Sequence, residues 1–257
     1  MKVIVAIKQV PARDSRLRAD VTGRWIDTSD LASEINEPDA YALEEALQWK
    51  EKHGGEVVVL CAGPANATQS IRDALAKGAD RALHIEEENL GAYDSLGLAR
   101  LLAAAAKEEE PDLILTGLQS DDLGYGQTGV ILAELLDLPH ATIIMQTEKT
   151  ATGIRVKREL EDGWFQHVEM PMPALLTIQS GINKLRYSTL MGIKKARSKE
   201  IKPLSAAGLG AGPAAVAVQL EKLYMPSRSK QTRMIEGDAR KQAAELVEVL
   251  RHEVRVI

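Results

Sequence analysis

The chain has 257 residues, enough for one large α/β domain with appendages, and 45% of them are hydrophobic, which supports a substantial core. A net charge of −5 argues against a general nucleic-acid binder, and a single cysteine excludes a disulfide framework. The five histidines show no metal-ligand spacing, and no apolar run is long enough to span a membrane. Because the chain opens on a β-branched segment without a signal peptide, we expect a cytoplasmic protein that does not insert into membranes.

Apolar strands and helices alternate through the first half of the chain. Strands are predicted at residues 2–10, 56–61, 81–85, 113–116 and 141–145. Helices are predicted from Asn36 onward and at residues 71–77, 96–107 and 128–136. Asn36 is a candidate N-cap of the first helix, and Pro38 suits its first turn. This alternation predicts a three-layer, doubly wound and mostly parallel sheet.

The pattern changes after Gln146. Short strands at residues 154–160, 164–169 and 174–178 indicate an antiparallel extension of the same sheet. Residues 205–216 are rich in Ala, Gly and Pro, which is typical of an extended arm, and residues 237–254 have the apolar spacing of a final helix. We therefore expect an α/β domain at residues 1–200, followed by an arm and helix at residues 201–257 that pack on a partner.

A glycine-rich loop follows the fourth predicted strand, with Gly117, Gly124 and Gly126 before a helix that opens at Gln127 and Thr128. If the strand order is 3-2-1-4-5, this loop lies where the order reverses, and open α/β sheets bind ligands there. The free N–H groups of the helix start can receive a phosphate. The pattern alone leaves a plain loop with a capping Thr128 equally open. The loop has neither the Walker lysine pattern nor GxGxxG, so a P-loop NTPase and a standard NAD site are not supported.

A short amphipathic helix is predicted within residues 188–199. Its apolar residues Leu190, Met191 and Ile193 lie beside the basic Lys194 and Lys195. Such a helix can insert into a groove on a partner. The spacing by itself favours a surface helix that packs on its own domain and leaves a solvated basic face.

Residues 156–199 resemble the signature of the β subunit of electron-transfer flavoproteins. The matching positions are Val156, Arg158, Glu161, Asp162, Gly163, Gln166, Val168, Pro173, Leu175, Leu176, Thr177, Gly181, Ile182, Asn183, Arg186, Tyr187 and Leu190. A wider likeness covers the whole chain. The resemblance implies a fold like that of adenine-nucleotide hydrolases, with the nucleotide bound by residues 1–200. It also implies a heterodimer in which the arm embraces an α subunit.

The resemblance further implies an adenine nucleotide bound by this chain. The implied contacts are Ala6, Asn36, Glu37, Pro38, Asp39, Ala62, Gly117, Gln119, Asp122, Gly124, Tyr125, Gly126, Gln127, Thr128, Gly129 and Val130. In most family members this nucleotide is AMP and has a structural role, and the Gln127-Thr128-Gly129 ending of the loop is similar to theirs. One FAD is then held mainly by the α subunit.

A recognition loop at residues 184–199 is implied as well. The residues expected to dock a partner are Arg186, Tyr187, Leu190, Met191, Ile193, Lys194 and Lys195, with Leu190 as the anchor. Electrons would come from flavin dehydrogenases, such as acyl-CoA dehydrogenases, and pass to an electron-transfer-flavoprotein quinone oxidoreductase. The chain is then a carrier subunit without a catalytic residue of its own.

Two alternatives stay open. The first is a bifurcating β subunit that holds a second FAD in place of AMP and oxidises NADH, which would make it part of an enzyme. The second is a stand-alone module that senses adenine nucleotides and needs neither the recognition loop nor the arm.

Overall fold

The computed structural model describes residues 1–211, 216–226 and 232–257, and these form two compact units, Met1–Lys222 and Leu223–Ile257. The strands are β1 Lys2–Ile7, β2 Gln9–Pro11, β3 Ser33–Ile35, β4 Glu56–Gly63, β5 Arg81–Glu86, β6 Leu113–Gly117, β7 His140–Lys149, β8 Gly153–Glu159, β9 Phe165–Pro171, β10 Ala174–Ile178 and β11 Ile201–Ser205. The helices are α1 Glu37–His53, α2 Thr68–Lys77, α3 Ser95–Lys107, α4 Thr128–Leu135, α5 Leu190–Ala196 and α6 Ala239–Glu248.

A nine-stranded sheet with the order β11-β5-β4-β1-β6-β10-β7-β8-β9 organises the first unit. The pairs from β11 to β7 are parallel, and only β7-β8 and β8-β9 are antiparallel. The mostly parallel, doubly wound fold predicted from the sequence is therefore confirmed. The predicted reversal between the first and fourth strands is present too, since β1 lies between β4 and β6.

The strand β10 corrects two details of the sequence prediction. Ala174–Ile178 was expected in the antiparallel extension, but it pairs in parallel with both β6 and β7. As a result, the fifth predicted strand does not lie next to the fourth. All five residues of β10 are buried, as expected of a strand covered by helices on both faces.

Helices cover both faces of this sheet, which gives three layers. Alternate residues of β1 point to opposite sides: Val3 and Val5 pack in the core that α1 and α2 cover, while Ile4 packs in the core that α3 and α4 cover. These cores are built mainly from aliphatic side chains, with Trp49 as a buried aromatic residue, in agreement with an aromatic content of only 4%.

The edge of the sheet extends further along the chain than the sequence predicts. Ile201–Ser205 pairs in parallel with β5, so the first residues assigned to the arm belong to the sheet. The low-complexity segment predicted at residues 205–216 falls partly on 212–215, which lie outside the described residues. Among the residues that are described, no helix is both long and apolar enough to cross a membrane.

The second unit contains α6. The side chain of Asp238 caps this helix by accepting a hydrogen bond from the Lys241 N–H at 2.9 Å. No residue of α6 is buried, and its Leu246 and Val247 are exposed. The final helix predicted at residues 237–254 is therefore present, with its last turn widened to a π-helix at Val249–Val254.

Candidate nucleotide site and docking segment

Asn36 connects the start of α1 to the loop after β6. Its side-chain amide donates to the Gln119 carbonyl at 2.8 Å, and its Oδ1 accepts the Asp121 N–H at 2.8 Å. The backbone N–H of Asn36 donates to the Lys8 carbonyl at 2.9 Å. The prediction that the Asn36 side chain caps α1 is therefore wrong, because its polar atoms bind a loop more than 80 residues away.

The buried side chain of Asp39 links the ends of two strands. One carboxylate oxygen accepts the Lys8 N–H at 2.7 Å, and the other accepts the Gly117 N–H at 2.9 Å. Burial raises the pKa of Asp39 to about 7, although both hydrogen bonds favour the ionised form. A Cβ atom at position 117 would lie 2.3 Å from Asp39 Oδ1, so only glycine fits there.

Lys8 forms an ion pair with the same loop. Its ammonium lies 2.6 Å from Asp122 Oδ1, and both side chains are largely shielded from solvent. Asp121 accepts the backbone N–H of Glu37 at 3.3 Å. The sequence did not single out Lys8 as a site residue, although its position directly after β1 at the carboxyl edge of the sheet was a usable signal.

The start of α4 lies tightly against the sheet. A Cβ atom on Gly129 would be 2.7 Å from both Thr116 Oγ1 and Thr177 Cγ2, at the ends of β6 and β10. Thr128 is the first helical residue, and the side chain of the N-cap residue Gln127 makes no capping hydrogen bond. The first N–H groups of a helix have no intrahelical acceptor, so those of α4 are available to an anion.

The predicted nucleotide contacts thus gather along one edge. Direct hydrogen bonds join Asn36, Glu37 and Asp39 to the loop formed by residues 117–130, which we call the nucleotide loop. Ala6 and Ala62 lie near the ends of the adjacent strands β1 and β4, and both have small side chains. Gly124 and Gly126 have the positive φ angles of 66° and 62° that shape the loop, and Tyr125 between them is exposed.

This edge of the sheet carries groups that can donate to an anion. It offers backbone N–H donors at α4, an ammonium group at Lys8, and a surface of small residues at the strand ends. The acidic Asp122 is neutralised by Lys8, so its charge does not oppose a phosphate.

Residues 186–199, here called the docking segment, lie elsewhere on the first unit. The helix α5 begins after Thr189, whose hydroxyl accepts the Gly192 N–H at 3.0 Å. The side chains of Tyr187 and Leu190 are 94% and 87% exposed, and Met191 and Ile193 are exposed beside them. Exposed apolar side chains grouped in this way are typical of a protein-binding surface.

Arg186 differs from the other predicted docking residues. Its guanidinium donates to both oxygens of Glu44, with Nε–Oε2 at 2.7 Å and Nη2–Oε1 at 3.0 Å. A third bond joins Nη1 to Glu51 Oε1 at 2.6 Å. These carboxylates hold the pKa of Arg186 above its ordinary value. The side chain therefore faces α1, which sequence reasoning could not foresee because the partners are over 130 residues apart.

The fold is that of a doubly wound α/β protein, with a glycine-rich loop at the edge where the strand order reverses and a separate group of exposed apolar side chains. Residues 24–209 match the family described as the electron transfer flavoprotein domain. The chain belongs to this family, and its relatives place it among the β subunits.

Several relatives support the assignment over nearly the whole chain. The electron transfer flavoprotein subunit beta of Methylophilus methylotrophus is 37% identical over 97% of this chain and 98% of its own length. That of Bradyrhizobium diazoefficiens is 36% identical over 100% of both chains. That of Homo sapiens is 37% identical over 82% of this chain and 83% of its own. The resemblance stated from the sequence is confirmed, and an association with flavin follows from it.

Proposed function

We propose that this chain forms a heterodimer with an α subunit and passes electrons from flavin dehydrogenases, such as acyl-CoA dehydrogenases, to a quinone oxidoreductase. The observation that carries the proposal is the docking segment, in which Tyr187, Leu190 and Met191 project into solvent from a backing fixed on α1 and α2. A monomer gains nothing from exposing these side chains, whereas a partner protein can cover them.

AMP is the proposed ligand of the nucleotide loop. The N–H groups at the start of α4 suit a single phosphate, and Lys8 is placed at the same loop. The carboxylate of Asp121 also lies at this loop, and its negative charge disfavours the second phosphate of a bound FAD. In this role AMP fastens the nucleotide loop to the carboxyl ends of β1 and β6.

FAD would be bound mainly by the α subunit and would supply the electron-carrying chemistry. The residues of this chain that we propose for contact with α belong to the C-terminal unit, where Leu246 and Val247 of α6 are exposed. We assign no acid–base or nucleophilic step to this chain, so the rate depends on docking and on the distance between flavins. The cytoplasmic location and the packing of the arm on an α subunit stay predictions, and the Oryza sativa relative is named as mitochondrial.

The bifurcating alternative is retained because of one departure in the loop. Gly124-Tyr125-Gly126 resembles neither the AMP-binding nor the bifurcating pattern. Only the Gln127-Thr128-Gly129 ending of the loop therefore favours AMP over a second FAD. The stand-alone sensor gains no support from relatives that are named as subunits.

The first experiment is to co-express the chain with its α subunit, denature the purified complex, and quantify the FAD and AMP released per heterodimer. One FAD and one AMP supports the proposed carrier. Two FAD and no AMP would replace it with the bifurcating function, and NADH oxidation would then be assayed. A chain that is stable and carries nucleotide without α would favour the sensor instead.

A further inference from the structure

The inner side of the docking segment is bonded to two helices. Besides the contacts of Arg186 with Glu44 and Glu51, Lys77 of α2 donates to the Arg186 carbonyl at 3.1 Å. The Glu44 side chain is only 5% exposed, whereas that of Glu51 is 58% exposed. Arg186 is therefore held at two points: Glu44 and Glu51 bind its guanidinium, and Lys77 binds its backbone carbonyl.

The far end of the segment is fixed to the C-terminal part of α2. Arg72 donates to the Lys199 carbonyl at 2.7 Å, and the Lys199 ammonium donates to the Leu75 carbonyl at 3.0 Å. A Cβ atom on Gly192 would lie 2.3 Å from the Ala76 carbonyl oxygen, so the backbone of α5 rests directly on α2. Cationic side chains at the end of a helix complement its free carbonyl groups.

We propose that Arg186 is a positioning residue, which holds the exposed face of the docking segment in its binding geometry and does not itself contact the partner. The inference rests on the proposed docking function and refines it. The contacts with α1 and α2 then hold the side chains of Tyr187, Leu190 and Met191 in place before the partner binds. A surface fixed in advance binds more tightly than one that must be ordered during binding.

The geometry of Arg186 explains why its guanidinium is not expected to contact the partner. Three of the Arg186 N–H groups are already directed at carboxylates of α1, and an acidic group on a partner would have to compete with a bidentate pair. The Lys194 and Lys195 side chains, in contrast, are exposed on the outer side of α5. These lysines are the ones placed to attract an acidic partner surface.

The test uses the complete heterodimer and a purified acyl-CoA dehydrogenase reduced by its own acyl-CoA substrate. The KM for the dehydrogenase and kcat are measured for Arg186→Met, Arg186→Lys, Glu51→Gln and Leu190→Ala. Arg100→Met is the control, since Arg100 is exposed on α3 on the other face of the sheet. Bound flavin and its reduction by dithionite are measured in each variant, because neither needs docking.

The expected result is a KM raised about tenfold by Arg186→Met, with kcat within about twofold of wild type. The KM of Arg186→Lys should lie between those of the wild type and Arg186→Met, since lysine keeps the charge and loses the bidentate geometry. Arg100→Met should behave as wild type. Amide hydrogen exchange of residues 187–196 should become faster in Arg186→Met.

Glu51→Gln separates positioning from direct contact by the sign of its effect. If Arg186 positions the segment, loss of the Glu51 charge weakens the clamp and raises KM by about threefold. If Arg186 instead binds the partner, the same change frees its guanidinium and lowers KM or leaves it unaltered, which overturns the inference. Because Glu51 is exposed, this variant leaves no buried charge unpaired and should fold.

The two proposals fail in different ways. A KM raised by Leu190→Ala and unchanged by Arg186→Met would refute the positioning role and leave docking intact. A KM unchanged by Leu190→Ala would refute the docking function and this inference with it.

Discussion

Two regions of the first unit, the nucleotide loop and the docking segment, are held by the same helix in different ways. The start of α1 binds the loop through Asn36 and Asp39, whose contacts are buried and directed mainly at backbone groups. The middle of α1 binds the docking segment through ion pairs of Glu44 and Glu51. The loop leaves polar N–H groups free for a small ligand, while the segment leaves apolar side chains free for a protein. The helix α1 therefore holds both candidate recognition surfaces, one of them polar and the other apolar.

The largest effect is expected from Gly129→Val, which tests the nucleotide side of the comparison. The added side chain would collide with Thr116 and Thr177, so α4 must move from the strand ends. Overpacking of this kind costs about 1–3 kcal/mol of stability. The ratio of AMP to FAD released from the complex should fall close to zero. This ratio is measured by chromatography after denaturation of the complex.

The control for that variant is Gly23→Asn, a glycine with φ of +64° and nothing within 4 Å of an added Cβ. Asparagine tolerates this backbone conformation, so nucleotide content should not change. A normal AMP content in Gly129→Val would mean that the site has been placed wrongly.

Leu190→Ala tests the docking side and should have the next largest effect. Truncation of an anchor residue at an interface costs about 2 kcal/mol, which corresponds to about a 30-fold loss in kcat/KM for the dehydrogenase. Since Leu190 is exposed, the melting temperature and flavin content should stay at the wild-type values. Val21→Ala, at another fully exposed aliphatic residue, serves as the control. Loss of FAD or of the heterodimer would instead identify Leu190 as a structural residue.

A pH dependence should distinguish the two regions further, because only the nucleotide side contains a buried carboxylate with a raised pKa. Burial raises the pKa of Asp39 to about 7, against roughly 3.9 in an unfolded chain. Between these values the folded state keeps a proton that the unfolded state has released. The stabilising contribution of protonated Asp39 is therefore complete below about pH 4 and is lost as the pH rises through about 7.

Each pH unit within that window corresponds to about 1.4 kcal/mol for a single group. Thermal unfolding of the complex between pH 5 and pH 8 measures the effect. The melting temperature of the wild type should decrease across this range relative to Asp39→Asn, which cannot titrate. Asp14→Asn, at an exposed position, should follow the wild type. Parallel curves for wild type and Asp39→Asn would contradict the assignment.

The smallest effect concerns salt and the docking segment. Lys194 and Lys195 lie exposed on α5, so their attraction to an acidic partner is screened over a Debye length of about 8 Å at physiological ionic strength. The KM for the dehydrogenase should rise by a few-fold between low and high salt. The double variant Lys194→Gln/Lys195→Gln should show a flatter salt response, whereas Lys107→Gln on α3 should not. An unchanged slope in the double variant would remove these lysines from the docking surface.

Sequence reasoning reached the fold because the fold left a local pattern, and the two candidate surfaces were likewise proposed from local patterns. The alternation of strands and helices predicted the parallel sheet, and the glycines of the nucleotide loop marked the edge where the strand order reverses. It failed at β10, whose short apolar run has the same composition in a parallel and an antiparallel neighbourhood. The pairing partner of such a strand is decided by the packing of the whole sheet.

The sequence by itself determined the family, the layered fold and the apolar residues of the docking segment, because these depend on local periodicity and on a contiguous signature. Tertiary structure alone decided where the polar side chains point. Asn36 was expected to cap its helix and instead holds a distant loop, and Arg186 was expected to face a partner and instead faces Glu44. A side-chain hydrogen bond is formed by whichever groups the fold brings within about 3 Å, and chain separation carries no information about that distance.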